Sequence, residues 1–207
     1  AKINNLPRGT VPRECTRLTA FIDIGKELLS FGVGAYDEYF GGAVIDYGAF
    51  PGQNRPVYSK TDPRPSLSDY FPGSTETARI YQGLTALVGA LLKQEWTQHE
   101  TGAKFKIERL LIDIVYQAET VFKWIRESGY SGIVVAAKGH SIRAQHKPIH
   151  EWPKKDGQRQ GFNWRLYPPA SGKGRWVISD TNSWKSFFVD RVRVPPGTRG
   201  SFGLFGT

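Results

Sequence analysis

The sequence predicts an α/β fold: a mixed sheet that opens with a three-stranded antiparallel meander, continues in parallel strands, and is flanked by helices. Three observations lead there. Residues 17–50 hold three strand-like runs separated only by tight turns. Residues 76–96 carry apolar side chains at the helical period. Beyond them, short and almost wholly apolar runs alternate with a helical pattern, the order of a right-handed crossover between parallel strands.

The first strand is expected at Arg17–Ile24. Gly25–Lys26 turns tightly into a second at Glu27–Tyr36, and Asp37–Gly42 turns again into a third at Ala43–Phe50. Pro51–Gly73 contains five prolines and reads as an irregular loop. Ser74 or Thr75 caps a helix from Glu76 to about Trp96, in which Ile80, Leu84, Leu87, Val88, Leu91 and Leu92 form one buried stripe. Within Phe105–Tyr116 the run LLIDIV suits a strand covered on both faces. Glu119–Ser128 follows as a helix closed by Gly129, then Gly132–Ala137 as another buried strand. Ser141–Lys173 is polar and basic, with a strand near Phe162–Tyr167. A strand at Arg175–Ser179, a helix over Asn182–Arg191 and a glycine-rich end complete the chain. Residues 1–16 are mostly polar, with Pro7 and Pro12, and are expected to be a linker remnant ahead of a domain at 17–207.

At 207 residues the chain can bury a self-sufficient core, and 39% hydrophobic with 23% charged residues is an ordinary globular composition. The net charge of +9 is not ordinary and favours a polyanionic partner, nucleic acid ahead of an anionic membrane. A single cysteine, Cys15, excludes an internal disulfide and points to a reducing compartment. No apolar run approaches the roughly 18 residues of a membrane span, and the N-terminus lacks the apolar stretch of a secretory signal. Methionine is absent even at position 1, so the chain is expected to be a fragment or a processed product.

Three aspartates carry the chemistry. Asp23, Asp113 and Asp180 each sit at or near the end of an apolar run: TAFIDI, LLIDI and WVISD. A carboxylate inside a hydrophobic strand loses hydration and gains nothing unless a positive charge meets it. Gathered at one end of a sheet, the three acids would hold two Mg²⁺ or Mn²⁺ ions, which prefer oxygen ligands. Two such ions about 4 Å apart activate a water and stabilise the leaving oxygen of a phosphodiester. Asp23 is placed to bridge them, with Asp113 and Asp180 each holding one side. Asp180-Thr181-Asn182 also suits a helix N-cap. Asp37, Glu38, Asp46 and Glu119 lie on turns, a strand and a helix start and are expected to face water, with Glu119 within reach as a supplementary ligand.

An antiparallel meander leading into parallel strands, with acids on the first, a later and the last strand, resembles the ribonuclease-H-like nucleases. More closely, the chain resembles the nuclease domain of tailed-phage terminase large subunits, the lambda-like branch. The residues that carry the likeness are TAFIDIGKELLSFGVGAYD, LLIDIVYQAETVFKWIRE, VVAAKGHS, WVISDTNSWKSFFVDRV and PPGTRGSFGLFG. The family's strand-one Asp matches Asp23, its second Asp matches Asp113, and the Asp before a lysine-bearing helix matches Asp180 with Lys185. Its Lys-Gly after the fifth strand matches Lys138-Gly139. Ile114-Val115 departs from the Ser-Gly often found there.

The resemblance implies metal-dependent endonuclease cleavage of double-stranded DNA with little sequence preference. It also implies an upstream ATPase in the same polypeptide, a small terminase subunit and a portal, in the cytoplasm of an infected bacterial host, with no membrane partner. This chain has no G-x-x-x-x-G-K-[ST] match; Ser171-Gly172-Lys173-Gly174 lacks the leading glycine and the following hydroxyl. The ATPase is therefore expected upstream.

Between residues 138 and 175 stand nine basic residues against Glu151 and Asp156, interleaved with Trp152, Phe162, Trp164, Tyr167 and Trp176. Such a stretch suits a phosphate backbone. The expected DNA contacts are Lys138, His140, Arg143, Lys147, Lys154, Lys155, Arg159, Arg165 and Lys173, joined by Lys185. His140, His146 and His150 do not read as a zinc set, with one cysteine in the chain and Pro148 between the last two. Two other readings stand beside the leading one: a junction resolvase or integrase-like nuclease of the same fold, and a non-catalytic nucleic-acid-binding module whose acids cap helices.

Overall fold

The structure is a computed structural model that describes residues 2–55, 61–141, 147–154, 156, 158–170 and 173–206. Twelve strands are assigned among them: β1 Thr10–Val11, β2 Arg17–Ile24, β3 Leu29–Tyr36, β4 Gly42–Phe50, β5 Trp96–Gln98, β6 Lys104–Phe105, β7 Arg109–Asp113, β8 Val134–His140, β9 Arg159–Gly161, β10 Trp164–Tyr167, β11 Trp176–Asp180 and β12 Phe202–Leu204. The helices are α1 Leu67–Tyr70, α2 Glu76–Lys93, α3 Ala118–Glu127 and α4 Thr181–Arg193. Nine strands form one mixed sheet in the order β12-β4-β3-β2-β7-β8-β11-β10-β9, and β1-β5-β6 form a small second sheet.

The expected meander is present: β2 pairs antiparallel with β3, and β3 with β4. The parallel half follows, β2 with β7, β7 with β8, and β8 with β11. This is the mixed layout expected from the sequence, with β2 at the junction of its antiparallel and parallel halves. Alternation along β2 decides its two faces. Leu18, Ala20, Ile22 and Ile24 are buried, whereas Thr19, Phe21 and Asp23 belong to the other face and are not.

The buried face meets α2, whose first turn is held by Thr75 Oγ1 accepting from the Ala78 amide at 3.3 Å. Ile80, Leu84, Leu87, Val88 and Leu91 enter the core as the periodicity requires. Gly83 lets α2 approach closely, because a Cβ there would stand 3.0 Å from both Leu29 and Leu67. Helix α3 adds Val121, Phe122, Trp124 and Ile125, with Trp124 Nε1 donating to Thr85 Oγ1 at 2.9 Å. The turn before β4 is built by Asp37, whose Oδ1 accepts from the Tyr39 and Gly41 amides at 2.7 Å each. Gly42 then takes φ +139, where a Cβ would meet the Ala35 carbonyl oxygen at 2.0 Å.

Several elements differ from expectation. Residues 2–16, expected to be a linker remnant, lie against the domain: β1 pairs with β5, Ile3 bridges Leu204, and Val11 and Cys15 are fully buried. Helix α2 ends at Lys93, because Trp96 is drawn into β5 and buried. The proline-rich loop contains α1, nucleated by a capping box in which Asp69 Oδ2 accepts from the Ser66 amide at 2.8 Å. The glycine-rich end supplies β12, which adds parallel to β4.

Cys15 is the one cysteine, and burial, then the charges of Glu14 and Asp37, push its thiol far above the ordinary range. An aromatic disulfide reagent is therefore expected to leave the native protein unmodified and to titrate one thiol after denaturation. Because the folded thiol holds its proton more tightly, the stability it contributes is fully present below the unfolded value of about 8.5 and is lost as pH rises above it.

Candidate nucleic-acid cleavage site

At the C-terminal edge of the parallel strands, the register Ile22↔Ile112 makes Asp23 and Asp113 the next residues on neighbouring strands. Sequence reasoning brought these two together and the fold does the same. Both are half-buried. Burial pushes the Asp113 carboxyl above its ordinary range, and the charge of Asp23 adds to that push. Opposing it are the amides of Val115, which donates to Oδ2 at 3.3 Å, and of Ile114, together with the charge of Lys138. Two carboxylates held this close favour a cation between them.

The third aspartate shares the sheet edge but not the row. Ala137 pairs with Asp113 on one side and with Val177 on the other, so Asp180 lies three residues further along β11. An odd offset turns a side chain to the opposite face of a pleated sheet. Asp180 is 2% exposed, and its Oδ1 accepts from the Ser183 amide at 3.0 Å as the N-cap of α4. Among the described residues no group of three or more His, Cys, Asp or Glu side chains forms a metal cage. The donor set nevertheless fits a hard cation of the Mg²⁺ type, which commonly takes one or two carboxylates and completes its shell with water and substrate phosphate.

Glu76, the first residue of α2, has a role beyond the helix. Its Oε1 accepts from Tyr116 Oη at 2.5 Å and from Gln117 Nε2 at 2.9 Å, tying the start of α2 to the segment that leaves Asp113. These contacts span about forty residues of sequence, so no local pattern announces them.

The basic residues divide. Lys138, Lys147, Lys154, Arg159, Lys173 and Lys185 are exposed. His140 is half-buried, faces Asp180 in register, packs edge-on against Trp152 at 5.0 Å, and its buried Nε2 has no hydrogen-bond partner among the described residues. Arg143 and Lys155 lie outside the described residues. Arg165 is a correction: expected at the DNA, it is 3% exposed, and its guanidinium donates to the carbonyls of Pro153, Ile149 and Trp152 while lying over the Trp152 ring. Composition alone does not separate a buried arginine from an exposed one.

A cleft of about 920 Å³ lies beside the edge, lined by Phe21, Leu111, Trp164, Trp184 and Phe187 among others. Its lining is mostly apolar, with Arg17, Arg109 and Arg191 among it, and neither Asp23 nor Asp113 belongs to it.

Comparison with known proteins supplies the family. No curated protein matches the chain. Among solved structures it is similar to T. thermophilus RuvC in complex with a Holliday junction substrate, at 14% identity and a TM-score of 0.31, over 58% of this chain and 65% of that chain. The likeness therefore spans less than two thirds of the RuvC chain. The profile described as "Terminase large subunit gpA, endonuclease domain" matches residues 1–202, nearly the whole length. With the meander, the parallel strands and the paired acids already in place, the chain belongs to the endonuclease-domain family of the terminase large subunit gpA and is a nuclease domain.

Proposed function

We propose that this domain cleaves double-stranded DNA by divalent-metal-dependent phosphodiester hydrolysis with little sequence preference, as part of a phage packaging motor whose ATPase precedes it in the same polypeptide. The observation that carries this reading is the pairing of Asp23 with Asp113 at the strand ends, next to Lys138. These two carboxylates would hold Mg²⁺ or Mn²⁺, two ions in all, while Asp180, off their row and turned to the opposite face, would act as the N-cap of α4. When bound, such ions supply an activated water and offset charge on the leaving oxygen. The chain's own residues do the rest. Lys138 faces the developing negative charge, Glu76 fixes the segment after Asp113, and the exposed Lys147, Lys154, Arg159, Lys173 and Lys185 contact phosphates. The small terminase subunit and the portal are the partners this reading entails.

The test is nicking and linearisation of plasmid DNA in Mn²⁺ by wild type and Asp180→Asn. Asparagine caps a helix as well as aspartate does, so Asp180→Asn is expected to keep both the stability and the Mn²⁺-dependent cleavage of wild type. Asp180→Ala is expected to lose a further ~1 kcal/mol of stability. A loss of cleavage by about a hundredfold in Asp180→Asn at unchanged stability would instead give that residue a place at the ions. Cleavage restricted to branched junctions would favour a resolvase, and DNA binding without any cleavage would favour a non-catalytic module.

A further inference from the structure

One exposed aromatic has no structural reason to be where it is. Phe162 is 70% exposed, the most exposed of the large hydrophobic side chains among the described residues. It occupies the two-residue turn Phe162–Asn163 between β9 and β10, closed by the pair Gly161↔Trp164. Two-residue hairpin turns favour glycine, asparagine and aspartate, so the turn does not need phenylalanine. The core does not take it either. What its ring meets is another ring: His150, parallel to within 8° at 4.4 Å between centroids.

The turn is held firmly beside the candidate site. The Asn163 carbonyl accepts from the Asp180 amide at 2.9 Å and from Trp184 Nε1 at 3.2 Å, and Asn163 Nδ2 donates to Ser183 Oγ at 2.5 Å. Phe162 is therefore one residue from a backbone clamp on the strand end that carries Asp180. Exposed Lys147 and Lys154 flank His150 in the chain, and exposed Arg159 lies on the same hairpin. A stacked pair of flat rings on a hydrogen-bonded turn, in a segment whose exposed charges are mostly cationic with Glu151 beside His150 as an exception, matches a polyanion that also offers flat faces. That is nucleic acid with a base accessible for stacking.

Building on the proposed nuclease reading, we propose that the Phe162–His150 stack is a wedge that packs on an unstacked base of duplex DNA and so positions the strand for cleavage at the acid edge. The chain would then prefer DNA whose stack is already interrupted, because opening the step is part of binding.

The test measures metal-free binding by fluorescence anisotropy to a continuous duplex and to the same duplex with unpaired bases at its centre. The proteins are wild type, Phe162→Ala, Phe162→Trp and His150→Ala. Wild type is expected to bind the interrupted duplex about tenfold tighter. Phe162→Ala loses that preference, Phe162→Trp keeps it, and His150→Ala weakens it. The salt dependence of binding to the continuous duplex stays the same in all four, because phosphate contacts are untouched. Equal preference in wild type and Phe162→Ala overturns the wedge, as does no preference in wild type. Mn²⁺-dependent plasmid cleavage by wild type is run in parallel. Cleavage without a stacking preference removes the wedge alone, whereas a Phe162-dependent preference without cleavage removes the nuclease reading alone.

Discussion

Asp23→Asn and Asp113→Asn are each expected to lower Mn²⁺-dependent cleavage of plasmid DNA by at least about a hundredfold, the scale seen when one preorganised electrostatic group is removed from an active site. The two residues are consecutive positions on neighbouring parallel strands, so neither replaces the other. Their effect on folding is expected to have the opposite sign. Burial first, and then the charge of Asp23, raise the Asp113 carboxyl above its ordinary range; Asp113→Asn removes both costs and Asp23→Asn the second. In metal-free buffer both variants should therefore melt at or slightly above the wild-type temperature. Mn²⁺ at about a hundred times its Kd stabilises a binding protein by about 2.7 kcal/mol, and the variants should lose that increment. The pattern of no cleavage, intact fold and no metal-induced stabilisation separates a metal site from a merely structural pair. Unchanged cleavage in both variants contradicts it.

Arg165→Ala is expected to give the largest loss of stability, about 3 kcal/mol, read as a shift of the urea midpoint at unchanged slope. The guanidinium bonds three carbonyls from the segment 149–153, and without it the part-buried Pro153 and Trp152 oxygens lose this donor while Ile149 keeps only the Trp152 amide. Arg165→Lys should recover little, because an ammonium lacks the planar fork that reaches three acceptors at once. Proteolysis is expected to open near residues 147–154 in the variant, since Arg165 ties that segment to β10. Arg159→Ala provides the contrast. It is exposed on the edge strand, so its loss should leave the urea midpoint alone and reduce the salt slope of DNA binding. Equal effects of the two arginine variants on folding would contradict this division.

Sequence reading succeeded where the information is local. The alternation RLTAFIDI places β2 to the residue, the apolar stripe from Ile80 to Leu91 places the buried face of α2, and LLID places Asp113 at a strand end. Both Asp23 and Asp113 were legible as acids at strand ends, but their adjacency comes from the β2–β7 register, which no local pattern carries. The N-cap signal in Asp180-Thr181-Asn182 was also there to read, and the capped helix follows it. What stayed hidden depends on partners far along the chain. Val11 finds Gln98, Gly42 finds Phe202, and Glu76 finds Tyr116 and Gln117, and no short window carries any of these. Arg165 was misplaced for a different reason. In a segment dominated by exposed cations, one arginine turned inward leaves no compositional trace, and only the three carbonyls around it reveal its role.

The most direct measurement is anomalous diffraction from crystals grown with Mn²⁺. The expected result is a peak between the carboxylates of Asp23 and Asp113, at oxygen-ligand distances and lost in Asp113→Asn crystals. Ions settling only elsewhere on the surface, with the two aspartates sharing a proton between them, would contradict the account.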